Sequence, residues 1–247
     1  IFLYSLINPN AFEVIQYRLL DTIIGGVIAV VANYIILPTW EADNLSQIVL
    51  DALKMNKKYL LAAQALYENP KAQKFDYNLA RKNAFLAVSN LNASFQRLTQ
   101  DPKSKQREFE LFYEIVTINQ TMISAIAAIG NFIINHKTTP ASEDFKILIH
   151  KISSNLQLSS DMLEHIQVDH NNSAEKHEEA QNKLFDTYKK LANLRDENIK
   201  KGHTKLDTET LHELQEAYLM SNHLNWLKSL SESLKKATEK YTSIILE

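Results

Sequence analysis

The sequence predicts an all-α protein: a transmembrane helix, then a cytoplasmic antiparallel helical bundle, then a long helical hairpin. Three observations carry that prediction. The stretch RLLDTIIGGVIAVVANYIILPTW, Arg18 to Trp40, has no charged side chain between Thr22 and Leu37. Apolar residues beyond Trp40 recur at helical spacing almost throughout. The 247 residues include only four glycines and five prolines, too few for a sheet protein rich in turns. We divide the chain into the end of a membrane domain (1–40), a bundle (41–168) and a hairpin (169–247).

The chain opens on Ile1 and the apolar run IFLYSLI, which we read as the tail of an earlier span, with Asn8-Pro9-Asn10 as the turn. It lacks the basic start and cleavage site of a signal peptide. The next helix runs over about 11–37, roughly 40 Å at 1.5 Å per residue, enough for a hydrocarbon core of about 30 Å. Asn10 is its predicted cap, with Glu13 reaching back, and Pro38 its stop. Steps of three and four from Arg18 visit Asp21, Thr22, Gly25, Ala29, Ala32 and Asn33, a polar and small stripe, whereas Ile23, Ile24, Val27, Val30, Val31 and Ile35 lie elsewhere. Lipid already solvates apolar side chains, so small residues there serve close helix approach and polar ones face protein or a wet cavity. The alternative is a fully buried helix of a soluble protein, which a shorter run would favour.

Leu45, Ile48, Val49, Ala52, Leu53, Leu60, Leu61, Ala65 and Leu66 form the next helical pattern, broken at Asn69-Pro70. Helices are then predicted over about Tyr77–Leu98, Gln106–Ile134 and, capped by Ser142, up to about Ile166. Within the second of these, MISAIAAIGNFII is too short an apolar run to cross a membrane and reads as the buried central helix. The turn-rich linker VDHNNS leads to a helix over about Ala174–Lys201, a turn at Gly202 and a last helix over about Thr208–Leu246 capped by Asp207. That helix carries a seam, Leu227, Leu230, Leu234, Ala237, Tyr241 and Ile244, which needs a partner: the preceding helix, or the same helix of a second copy in a homo-oligomer.

With 45% hydrophobic and 23% charged residues and a net charge of −2, the chain has no electrostatic footprint for nucleic acid. The absence of cysteine excludes a disulfide framework and a thiolate metal site. Lys54, Lys57, Lys58, Arg81 and Lys82 follow the span, whereas the short loop before it has no basic residue until Arg18, so the positive-inside rule places residues after about 40 in the cytoplasm. A folded unit after Trp40 is expected, because that length of helix can bury a sufficient core.

Two motifs carry a resemblance. Arg18-Leu19-Leu20-Asp21-Thr22-Ile23-Ile24-Gly25, then Ala29 and Leu37-Pro38-Thr39-Trp40-Glu41, resembles the signature closing the second membrane bundle of the fusaric acid resistance (FUSC) family, especially its YccS and YhfK branch. Asp76-Tyr77 followed by Ala80-Arg81-Lys82 and Ala84 is similar to that branch's Asp-Tyr-x-x-Ala-Arg-Arg-x-Ala stretch, departing from it at Lys82; Gln100-Asp101-Pro102 stands where a Glu-Pro is usual. The resemblance covers about 11–135. It implies a bacterial inner (plasma) membrane protein of two multispanning halves, each followed by cytoplasmic helices, related to exporters of aromatic acids and other small organic anions. This chain would be the end of the second half. Its partners would be the remaining membrane helices of the same protein, the lipid bilayer and the organic anion.

On that view Arg18, Asp21, Thr22 and Asn33 line the substrate pathway, Arg18 attracting a carboxylate and Asp21 setting its charge or relaying a proton. The plainer reading of Arg18 and Asp21 is an i,i+3 ion pair. Gly25, Gly26, Ala29 and Ala32 are helix-packing positions, and Asp76, Tyr77 and Arg81 belong to the cytoplasmic motif.

No cofactor and no metal site is expected. His165, Asp169, His170 and His177 cluster around the linker without a familiar ligand spacing. His212-Glu213 begins like HExxH, but Glu216 stands where the second histidine belongs. Residues 183–205 hold seven Lys or Arg against three Asp or Glu, a solvated helix face or a contact for anionic headgroups. With no phosphate loop or nucleophile motif, the chain is predicted not to be an enzyme. Two function classes remain: part of a transporter, or a membrane-anchored helical scaffold or sensor.

Overall fold

A computed structural model describes residues 11–35, 41–100, 103, 109–164, 174–201 and 208–245. They form seven helices: α1 (Ala11–Ile35), α2 (Glu41–Glu68), α3 (Pro70–Leu98), α4 (Phe109–Asn135), α5 (Glu143–Leu163), α6 (Ala174–Lys200) and α7 (Thr208–Ile245). No strand occurs among the described residues, so the fold is all-α as the sequence predicts. The chain divides into two compact units, Ile1–Trp40 and Glu41–Glu247. Asn10, Pro38, the linker from Val168 to Ser173, Gly202 and Asp207 lie outside the described residues.

In the second unit α2 packs on α4, α4 on α7, α7 on α5 and α5 on α2, a closed four-helix ring. Helix α3 lies against α2 and α4, and α6 against α5 and α7. Each outer helix thus fills a groove between two ring helices. The core is continuous, from Leu45, Leu53, Leu60 and Leu66 on α2 through Ile115, Met122 and Ile126 on α4 to Leu224, Leu227 and Leu234 on α7. Each such side chain taken out of water contributes about 1.5–3 kcal/mol.

The hydropathy pattern explains the placement of α4. It is, with α1, one of two described helices long and apolar enough to cross a membrane, but 56% of its apolar window is buried. A helix apolar on all sides sits inside a protein or a bilayer, and three neighbouring helices, α2, α3 and α7, cover this one. Four of the six seam residues of α7, Leu227, Leu234, Ala237 and Tyr241, are buried within the chain, the Tyr241 ring meeting Phe112 of α4 at 4.6 Å, whereas Leu230 is partly buried and Ile244 is 37% exposed.

Helix ends follow local chemistry. Ser142 accepts a hydrogen bond from the Phe145 amide at 3.2 Å, capping α5 as expected. Helix α3 begins at Pro70, seven residues before the predicted Tyr77. Asn69 caps it, its side chain accepting from the Ala72 amide at 3.3 Å, and proline at the first helical position lacks only an amide that would have no partner. Asn69-Pro70 therefore starts a helix as well as ending one.

Buried polar pairs set the registers between helices. Asn56 of α2 donates from Nδ2 to Asn119 Oδ1 of α4 at 2.9 Å, both residues fully buried. Asn155 of α5 donates to Ser231 Oγ of α7 at 2.9 Å. Replacing Asn119 with leucine leaves the Asn56 amide only its long bond to the residue 119 carbonyl, 3.4 Å in this structure, and is expected to cost about 1–3 kcal/mol, whereas leucine at both positions should be more stable than the single variant. Thermal melting of the two variants checks this, and a double variant at least as unstable as the single one would refute it.

Candidate functional site

Helix α1 is the first candidate. None of the apolar window Glu13–Ala32 is buried within the chain. Ile23, Val27 and Val30 are 56%, 56% and 70% exposed, so every side of the helix is uncovered, the stripe included. Arg18 and Asp21 are exposed one turn apart, with no ion pair between them among the described residues. Thr22 donates its hydroxyl to the Arg18 carbonyl at 2.8 Å, so its polar group is satisfied by its own helix. At Gly25 and Gly26 a β-carbon would meet nothing within 4 Å among the described residues. Ala29 is exposed and Ala32 half-buried; Asn33 lies on α1, and its side chain is outside the described residues.

The second candidate is the motif on α3. Tyr77 is fully buried, and its hydroxyl lies 2.9 Å from that of Tyr59 on α2, with the rings 5.3 Å apart. Its other neighbour is Gly130 on α4, whose missing side chain makes room for the phenol. Burial first, then the bond to Tyr77, pushes the Tyr59 pKa up, against the opposing pull of Arg81. Tyr77 is also raised, mainly by burial. Both phenols keep their protons at physiological pH and form a neutral lock. The Arg81 guanidinium sits 5.6 Å from the Phe85 ring centroid, over a ring that in turn faces Tyr59 edge-on at 6.5 Å. Tyr77 and Arg81 thus join one cluster tying α2, α3 and α4, whereas Asp76 is exposed to solvent.

A third arrangement escaped the sequence reading. Glu216 of α7, 4% exposed, accepts hydrogen bonds from the Tyr67 hydroxyl of α2 and from the amide (3.0 Å to Oε2) and hydroxyl (3.1 Å to Oε1) of Thr139. It pins the segment between α4 and α5 to the end of α2. Burial first, then Glu216, raises the Tyr67 pKa, so the phenol stays a donor. Glu216 continues the apolar register of Met220 and Leu224 by one more step of four, a carboxylate where the pattern asks for a hydrophobe. That was the legible signal.

Of the residues around the linker, His165, Asp169 and His170 lie outside the described residues. His177 on α6 is buried, its pKa lowered by burial and then by the charges of Lys151, His150 and Lys228. Such cationic surroundings repel a metal cation. Among the described residues no group of three His, Asp or Glu side chains gathers to hold one.

Comparison with known proteins finds partial matches. The chain is 29% identical over 121 residues, 49% of its length, to Inner membrane protein YccS of Escherichia coli strain K12. It is 25% identical over 115 residues, 47% of its length, to an uncharacterized protein of Haemophilus influenzae. The chain spans about a sixth of these curated relatives, 17% and 16% of their lengths. No family model and no solved structure matches it. Partial similarity to an inner membrane protein, together with a helix whose apolar sides are all uncovered, supports a membrane-associated function.

Proposed function

We propose that this chain is the C-terminal part of a multispanning inner-membrane transport protein akin to the fusaric acid resistance family, an exporter of aromatic acids or other small organic anions. The unit after Trp40 lies in the cytoplasm and couples or assembles the membrane helices. The observation that carries this reading is α1: an apolar helix uncovered on all sides that still places Arg18 and Asp21 in line with Gly25 and Ala29. A helix that only anchors a scaffold gains nothing from ionisable residues in its span, since their presence there is costly unless they face a bundle or a wet path. Partial similarity to YccS supports the membrane setting.

The test is Asp21→Asn in the intact protein in its native membrane, with benzoate as the probe anion. Export is expected to fall at least tenfold at unchanged protein level. Export equal to that of the unaltered protein would remove Asp21 from the pathway and leave α1 an anchor.

A further inference from the structure

A cavity of about 410 Å³ opens beside Glu216, bounded by the end of α2, the start of α5, and α6 and α7. That volume lies within the range of small-molecule sites. Its walls are apolar: Phe145 from α5, Leu184 and Leu191 from α6, Ala217 and Met220 from α7. The lining also holds the Glu216 carboxylate together with its donors Tyr67 and Thr139. A glutamate is almost never this buried unless a charge pairs with it. Among the described residues no Lys, Arg or His lies within ion-pair distance of Glu216. Among the described residues its donors are neutral, and there Oε2 accepts from the Thr139 amide, which it shares with Oε1. Asp144 and Glu213 add further negative charge to the lining, against one cation among the described residues, Lys190.

We propose that this cavity binds a small organic cation, a protonated amine on an apolar body about the size of one aromatic ring, with Glu216 as its counter-ion. The body packs between Leu184, Leu191 and Met220, and the ammonium group donates to Glu216 Oε2. The occupant supplies the charge that the fold leaves out. The acidic lining excludes a carboxylate of the same shape, so this site is separate from the proposed export path and does not depend on it.

Calorimetric titration of the whole chain in detergent tests this with three probes sharing one ring and tether: 2-phenylethylamine, 2-phenylethanol and phenylacetate. Saturable binding of the amine is expected, at least tenfold tighter than the alcohol and with no detectable phenylacetate binding. Glu216→Gln keeps an acceptor for Tyr67 and Thr139 but removes the charge, and should bring the amine to the affinity of the alcohol. Ala217→Trp fills the cavity from a half-exposed position and should abolish binding in a chain that still melts cooperatively; it decides the matter alone if the Gln variant fails to fold. Equal binding of the three probes, no saturable binding of the amine, or amine affinity unchanged in either folded variant would overturn the proposal.

Discussion

Gly130→Ala is expected to lower the melting temperature of the bundle by roughly 6–12 °C, the equivalent of about 3 kcal/mol in a unit of this size. A β-carbon on Gly130 would collide with the hydroxyl and Cζ of Tyr77 and lie 2.6 Å from its Cε2. Tyr77 cannot step aside, because it is fully buried and its hydroxyl is tied to Tyr59. Adding one methyl group therefore moves a whole ring, breaks a buried hydrogen bond and separates α3 from α4. Glycine in a helix interior otherwise costs about 0.5–1 kcal/mol relative to alanine, so a helix that keeps one here does so for the space. Gly25→Ala and Gly26→Ala are the controls. Among the described residues nothing lies within 4 Å of a β-carbon at either position, and neither should lower the melting temperature. A Gly130→Ala chain that melts with the unaltered protein would show that the lock around Tyr77 carries no stability.

Removing residues 1–40 is expected to transfer the protein almost completely from the carbonate-resistant membrane pellet to the supernatant. The argument is the surface of α1. Leu19, Leu20, Ile23, Ile24, Val27, Ile28, Val30 and Val31 are between 48% and 70% exposed. At about 1.5–3 kcal/mol for a whole side chain withdrawn from water, and with a little over half of each exposed, lipid offers this helix on the order of 10 kcal/mol. The unit after Trp40 has no comparable demand, since its most apolar helix, α4, is already covered by three neighbours. Flotation on a sucrose gradient separates membrane-bound chain from aggregate. If the longer and shorter chains are both released, α1 is not a span, and the transport reading falls with it.

The helices were legible where one face is buried, because burial imposes the 3.6-residue period on the sequence. Helix α3 shows the limit. Its first two turns bury nothing, and Phe75 is 76% exposed, so periodicity begins only at Tyr77. The cap at Asn69 was the earlier signal, and it looks the same whether the chain turns away or enters a helix. Sequence placed Tyr77 and Arg81 in one motif, but their meeting with Gly130 and Tyr59 depends on how three helices pack. In the sequence Glu216 reads only as the residue that spoils a zinc motif. Its partners lie 149 residues away at Tyr67 and 77 away at Thr139, and no local pattern connects them. Nothing in the spacing of residues announces a cavity, which is a property of four elements at once.

The four-helix ring also sets a schedule for synthesis. Ser46, near the start of α2, shares a hydrogen bond at 2.6 Å with Tyr241, near the end of α7, across 195 residues of chain. At about 5–20 residues per second, roughly 10–40 s separate the emergence of those two side chains from the ribosome. During that interval α2 can pair with α3, its neighbour in the chain, but the side that α4 and α5 will cover has no partner yet. Helix α7 packs on α4 and α5, so the faces of those two helices stay open until the last helix is made, and ribosome stalling within α6 or α7 would leave more apolar surface uncovered than stalling within α3.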